Sequence, residues 1–287
     1  MKNILIFVLL SITTLSCSNK KVKLIYEKNG EISSPCNIDK VLDFIIPEKV
    51  CMKVGTTLFR YSGNTFENSK SWVIKTAYNN KNNLNEFVAP YSKTSPLLMS
   101  GVWGQLHGYS TTYIQYPKNT TNKLVIFCHG YAGNWKMYQG ILSNLEGSVV
   151  ISIGTSNING IYSKNDLQKI FDIYIPYLKK EGYDVKELHI IGLSNGGTAI
   201  SNAIKYYPSK FKSYTVISSN LAGIYKTKGS INFIGGQKDN SANKIKSQHQ
   251  KCLNMGIKSV LYNPYGDHFL LVTKTNEIIH ILNKIIN

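Results

Sequence analysis

The sequence is poor in acid. It holds 16 Asp and Glu against 33 Lys and Arg, a formal net charge of +17. The basic residues are spread along the chain rather than gathered in blocks, and no nucleic-acid-binding motif accompanies them. No nucleic-acid partner is therefore expected. Such a spread reads as a solvated basic surface; attraction to anionic envelope lipids is the sharper reading of the same charge. The chain also lacks any apolar run long enough to span a bilayer. Residues 21–100 carry no repeat, no metal-ligand cluster and no phosphate loop. Neither a cofactor nor a metal is expected.

What stands at the N-terminus is a leader. Lys2 precedes an apolar run over residues 4–10, then small and polar residues, then Cys17. That apolar core is too short to cross a membrane, and residues 1–16 have the pattern of a secretory signal. Thr14-Leu15-Ser16-Cys17 resembles a bacterial lipobox, where processing acylates the Cys and cuts before it; Thr14 stands where that motif places Leu. The resemblance implies lipid on Cys17, a linker over residues 17–23, and an exported lipoprotein anchored to a membrane of the cell envelope. The other reading is an ordinary signal peptide with an incidental Cys, and a secreted or periplasmic product.

Cysteine is scarce as well, with five in the chain. Beyond Cys17, the residues Cys36, Cys51, Cys128 and Cys252 allow three pairings. Cys36 and Cys51 are the most local pair, and closing that loop is worth about 3 kcal/mol in the chain-entropy picture. Free buried thiols are the alternative. Cys128, at the end of an apolar strand, reads as a small core residue.

After the leader about 270 residues remain, enough for one large α/β domain. Residues 24–100 read as an extension: strands over 54–61 and 72–78, a short helix over 39–46 ended by Pro47, and a polar turn over 79–85. The extension has too few apolar faces to fold alone, so it is expected to pack on the edge of a main domain over 101–287. Its aromatic residues read as core. Residues 101–108 are punctuated by Gly, contain Trp103 and His107, and lead into an alternating strand over 109–116.

From Lys123 onward the pattern alternates. Strands are expected over 124–128, 149–153, 188–191, 214–218, 231–234 and 259–263. Helices are expected between them: one capped by Asn134, one over 166–180 kinked at Pro176, one after residue 196 that ends before Pro208, one over 241–255, and a last one over 275–286. Strands separated by helices imply a mostly parallel central sheet covered on both faces, with ligands at the carboxyl ends of its strands.

Gly192-Leu193-Ser194-Asn195-Gly196 fits G-x-S-x-G between such a strand and helix. The chain must turn within a few residues, and a side chain at Gly192 or Gly196 would collide with neighbouring backbone. The bend lifts the Ser194 hydroxyl out of the sheet. Asp239 follows the strand over 231–234, and His268 follows the strand over 259–263. A serine hydroxyl is a poor nucleophile until a base takes its proton; His268 is placed to do so, with Asp239 holding the imidazole. Asp267 is the rival acid, but adjacent residues in a tight loop rarely meet side chain to side chain. Asp166, Asp172 and Asp184 read as helix-surface residues. Among the other histidines, His189 lies in a strand, and His249 and His280 lie on helices.

The strand–His129–Gly130 turn, the elbow at 192–196, and the order Ser194, Asp239, His268 make residues 123–287 resemble the α/β-hydrolase superfamily of serine esterases, lipases and peptidases. Nothing before residue 109 carries a resemblance. The resemblance implies an oxyanion hole of two backbone N–H groups. Asn195 offers one; Tyr131 offers the other, with Ala132 next. Losing one such donor typically costs about 3–4 kcal/mol of transition-state stabilisation. The His129 ring and Gly130 brace that loop. Little chain is left for a lid between Ser194 and Asp239, since 219–230 is the one spare loop, so the site is expected to be open there. The implied activity is cleavage of small-molecule or polymer-borne carboxylic esters through an acyl-enzyme on Ser194. A serine peptidase on the same fold and a non-catalytic binding lipoprotein are the alternatives.

Overall fold

The computed structural model describes residues 22–34, 110–131, 134, 136–155 and 160–287. The expectations for the leader, Cys17, the Cys36 and Cys51 pair, the elements over 39–85, Trp103, His107 and Ala132 fall outside these residues.

The described part opens with a hairpin, β1 (Val22–Lys28) and β2 (Glu31–Ser33). Asn29 and Gly30 join them with φ of 52° and 90°. Positive φ at both central residues gives the turn the twist that the two strands need. Val22 and Lys23, assigned above to a linker, instead open β1. They pair antiparallel with Gln115 and Ile114 of β3 (Ser110–Gln115). Strand β3 is buried along its whole length rather than on alternate residues.

The chain then alternates as its apolar periodicity requires: β4 (Lys123–Cys128), α1 (Lys136–Leu142), β5 (Val149–Ile153). Asn134 does not cap α1 as expected. It is buried, and its amide donates to the Thr111 and Ser152 carbonyl oxygens at 3.1 and 2.8 Å. Its Oδ1 accepts from the Ser152 hydroxyl. The side chain thus ties the loop after β4 to β3 and β5, where buried carbonyls need donors.

The helix expected over 166–180 is three segments. α2 (Lys164–Lys169) starts with a capping box in which Ser163 and Asp166 satisfy each other's backbone N–H. A π-helical turn (Ile170–Tyr174) follows, then α3 (Ile175–Lys180) with Pro176 in its first turn. Proline has no N–H and its ring crowds the carbonyl four residues back. The wider turn just before it absorbs that misfit, so the expected kink is spread over a π segment. Asp184 is not on a helix: it lies in the loop after α3, exposed and 3.1 Å from Lys186.

β6 (Glu187–Leu193) leads through a 3₁₀ turn (Ser194–Gly196) into α4 (Gly197–Tyr206). β7 (Ser213–Ile217), β8 (Ser230–Ile234), α5 (Ala242–Asn254) and β9 (Ser259–Tyr262) follow. A short helix not foreseen from sequence, α6 (Leu270–Thr273), precedes α7 (Thr275–Ile286).

Among the described residues nine strands form one sheet in the order β2-β1-β3-β5-β4-β6-β7-β8-β9. The run from β5 to β9 is parallel; β1, β2 and β3 are antiparallel at one edge. This is a mixed, mostly parallel α/β sheet. Along β4, Leu124, Ile126 and Cys128 face one core with Leu167, Ile170, Ile200 and Ile245; Val125 and Phe127 face another with Ile141, Leu142, Ile278 and Leu282. So α2–α5 cover one face and α1, α6 and α7 the other. Each fully buried Ile or Leu contributes roughly 1.5–3 kcal/mol over its exposed state. Cys128 and Cys252 are buried free thiols.

Candidate active site

β6 runs buried to its end and the chain turns there. Ser194 takes φ of 52°, a left-handed conformation that a non-glycine residue rarely holds. A Cβ on Gly192 would strike the Gly196 backbone, and one on Gly196 would strike the Cys128 carbonyl oxygen. The two glycines therefore allow close backbone approach, as their spacing implies. Gly130 fits against the apex: a Cβ there would sit 3.1 Å from the Ser194 Cβ and 3.7 Å from its Oγ. The turn after β4 thus lies directly on Ser194.

His268 Nε2 is 2.9 Å from Ser194 Oγ, and His268 Nδ1 is 2.9 Å from Asp239 Oδ2. A carboxylate only accepts, so Nδ1–H donates to Asp239 and Nε2 accepts the Ser194 proton. The Asp239 side chain is 3% exposed and that of His268 17%. Asp239 Oδ1 accepts from the Ser241 N–H and hydroxyl, both at 2.8 Å. Burial pushes the Asp239 carboxyl up, but the bonds from His268 and Ser241 together outweigh it and hold the carboxyl below its ordinary range. Asp267 is turned to its own loop, where Oδ1 accepts the Phe269 N–H at 2.9 Å.

The loops that carry Asp239 and His268 are zipped together. Gln237 and Lys238 N–H donate to the Pro264 and Gly266 carbonyl oxygens at 2.9 Å each. Asn263 Nδ2 donates to Gly235 O at 2.6 Å. These bonds hold the two side chains in register.

His129 is buried, and its Nδ1 lies 2.7 Å from Gly130 O. A carbonyl oxygen only accepts, so this nitrogen carries the proton. Burial pushes the ring's pKa down to about 4, against a smaller opposing effect of that bond, and the ring is neutral. It braces the loop. Tyr131 follows in the turn, and Asn195 begins the segment after Ser194, its carbonyl accepting from Thr198 Oγ1 at 2.8 Å.

The loop after β7 is pinned to α4 and α5. Leu221 N–H and C=O pair with the Gln248 side chain at 2.9 and 2.7 Å, and Ala222 N–H donates to Ser201 Oγ at 3.0 Å. The remaining described histidines are elsewhere: His189 pairs with Ser213, His249 with Ser259, and His280 lies exposed on α7. Among the described residues no group of three or more His, Cys, Asp or Glu is arranged to hold a metal. Sequence reasoning did not find Ser241, Thr198 or Tyr162. Ser241, two residues after an Asp, has a local signal; the other two act through partners distant in sequence.

No protein-family model matches the chain, and no curated protein matches it in sequence. Solved structures do match. A Bacillus cereus carboxylesterase superposes with a TM-score of 0.51 at 16% identity, over 64% of this chain and 99% of its own. S-formylglutathione hydrolase from Staphylococcus aureus gives 0.49 at 13% identity, over 62% and 93%. A Pyrobaculum calidifontis esterase gives 0.49 at 14% identity, over 62% and 80%. The carboxylesterase likeness shows the fold: this chain has the α/β-hydrolase fold.

Proposed function

We propose that the protein is a serine hydrolase that cleaves carboxylic esters. The observation that carries this reading is the line Ser194 Oγ–His268–Asp239, joined by two 2.9 Å contacts. The fold shared with a carboxylesterase is consistent with it. Ser194 Oγ attacks the ester carbonyl carbon while His268 Nε2 takes the hydroxyl proton. The resulting imidazolium is stabilised by the buried Asp239 carboxylate. Negative charge builds on the former carbonyl oxygen, and the N–H groups of Asn195 and Tyr131 are the donors assigned to it. The C–O bond to the alcohol breaks, and the alcohol leaves with the proton from His268. Water then attacks the acyl-enzyme with His268 as base. Ser194 regains its proton and the acid is released.

Two further assignments belong to the same reading. Soluble or polymer-borne esters suit a site whose neighbouring loop is tied down. A lipid on Cys17 would hold the enzyme at a membrane of the cell envelope.

The test is a fluorophosphonate and a substrate panel on the leaderless protein. One adduct on Ser194 is expected, and acyl esters of a chromophore should turn over faster than its aminoacyl amides. Ser194→Ala should lose labelling and turnover while keeping its circular dichroism. A folded Ser194→Ala protein with wild-type ester turnover overturns the reading.

A further inference from the structure

β4 and β5 pair in parallel up to Cys128 and Ile153. One residue further on, the strands are joined through a third residue. The Tyr162 hydroxyl accepts the His129 N–H at 2.9 Å and donates to Ile153 O at 2.6 Å. The phenol is buried, and its ring meets the His129 ring edge-on at 5.6 Å. The Tyr162 backbone is anchored to the helix after the elbow. Its N–H donates to Thr198 Oγ1 at 3.0 Å, and its C=O accepts from Asn202 Nδ2 at 2.7 Å. Thr198 Oγ1 in turn donates to Asn195 O at 2.8 Å. One residue therefore touches the turn His129–Gly130, the end of β5 and the helix that starts behind Ser194.

We propose that Tyr162 is a positioning residue for the oxyanion hole, a role that rests on the hydrolase reading above. The two assigned donors come from separate segments, Tyr131 after β4 and Asn195 after β6. Their spacing must match one oxygen. The phenol sets where the chain leaves β4, because it stands between His129 N–H and Ile153 C=O. The Thr198 and Asn202 bonds refer that position to α4, and Thr198 also holds Asn195 in the 3₁₀ turn just before it. Without the hydroxyl, His129 N–H and Ile153 C=O are left to close on each other or to stay unpaired in a buried place. Either change moves the turn that rests on Ser194. Tyr162 touches no reacting atom in this scheme, and the Ser194–His268–Asp239 contacts do not involve it.

Tyr162→Phe tests this with p-nitrophenyl acetate and its thiono analogue. Sulfur is a weaker hydrogen-bond acceptor on a longer bond, so the thionoester draws less on the hole. For the oxoester, kcat should fall about 10- to 100-fold, in line with the cost of misplacing a reacting centre by about 1 Å. KM should stay within about twofold, and the thionoester rate should fall much less. The pH profile of kcat/KM should not move. Tyr174→Phe, which loses another buried hydroxyl bonded to Thr112 at 3.0 Å, is the control for plain loss of packing and should leave both substrates alike. Equal losses on oxoester and thionoester, or wild-type kcat on both, overturn the proposal. If Tyr162→Phe does not fold, Asn202→Ala loosens the same anchor from a partly exposed position. It should lower the oxo-to-thiono ratio at least threefold, and an unchanged ratio overturns the proposal. Wild-type protein with neither turnover nor fluorophosphonate labelling would instead refute the hydrolase reading itself.

Discussion

Gly236 lies against Gly266 with no room for a methyl group between them: a Cβ on Gly236 would strike the Gly266 carbonyl oxygen. Gly236 belongs to the loop that carries Asp239, and Gly266 to the loop that carries His268. Their contact sets how far Asp239 stands from His268, and Lys238 N–H donates to the same Gly266 oxygen at 2.9 Å. Gly236→Ala must push the loops apart. Turnover is expected to fall about tenfold or more, since catalytic hydrogen bonds tolerate little displacement. Steady-state kinetics with a circular dichroism control reads it, and unchanged kcat in a folded variant refutes the spacing argument.

The two acids of this region should behave differently. Asp239→Asn loses tautomer control and the charge that stabilises imidazolium, with an expected drop in kcat of about 10⁴. Asp267→Asn keeps a side-chain oxygen to accept the Phe269 N–H and should stay near wild type. A greater loss for Asp267→Asn reverses the assignment. Asp239 also links stability to acid. Its folded-state pKa lies below the ordinary 3.8, so the carboxylate favours the folded state above pH 3.8. That contribution fades as pH falls below 3.8 and through the folded value. Urea melts of Asp239→Asn should lose this acid limb.

How much of this was legible follows from how local each signal is. The elbow lies within one pentapeptide, and its strand and helix flank it directly. Asp239 and His268 each follow a strand that apolar runs mark plainly. By contrast, Tyr162 works on His129 and Ile153 through one hydroxyl, and nothing in the sequence around Tyr162 announces a partner. Asn134 looks like a helix cap by position, but tertiary demand for a donor at Thr111 and Ser152 takes its side chain instead. Asn29-Gly30 is a hairpin signal in its own right, and it carries what strand patterning over residues 24–100 does not. The π turn before Pro176 settles a local conflict in a way that a helical pattern alone cannot specify.

Two buried histidines should make the fold acid-sensitive. Burial pushes both His129 and His189 down to about 4 from 6.5. Between those values an unfolded chain binds a proton at each ring and the folded chain does not. Stability is therefore complete above about pH 6.5 and falls as pH drops toward about 4. For the fully buried His129 the whole loss is on the order of 3 kcal/mol. His189 lies far from Ser194 in β6 and pairs with Ser213 at 2.8 Å. His189→Asn should flatten part of the pH dependence in chemical denaturation without changing ester turnover. A slope equal to wild type would refute its share.

The N-terminal sequence offers a prediction independent of the fold. Leu15-Ser16-Cys17 after an apolar core should yield a chain that starts at Cys17 with acyl mass on it. Intact-mass analysis of the membrane fraction reads this directly. A mature N-terminus elsewhere, with no lipid, refutes the anchor.

Ser194 should also cost the fold stability for the sake of its position. Its φ of 52° is a conformation that costs an L-residue roughly 1–2 kcal/mol and glycine almost nothing. Glycine in turn loses about 0.4–1 kcal/mol through the greater freedom of its unfolded chain. The two effects oppose each other, and the strain is the larger. Ser194→Gly is therefore expected to be more stable than Ser194→Ala by about 0.5–1 kcal/mol, with both inactive. The comparison with Ala removes the hydroxyl from both proteins, so the lost bond to His268 cancels. What remains is the backbone term alone. Ser218 offers a parallel site, at φ of 51° on a buried residue at the end of β7. Among the described residues its hydroxyl has no hydrogen-bond partner, so Ser218→Gly should also gain stability, and there the gain is read against wild type directly. Paired chemical denaturation curves measure both differences. Ser194→Ala as stable as Ser194→Gly would mean that the elbow holds its left-handed residue without strain, and that the place of Ser194 at the apex costs the fold nothing.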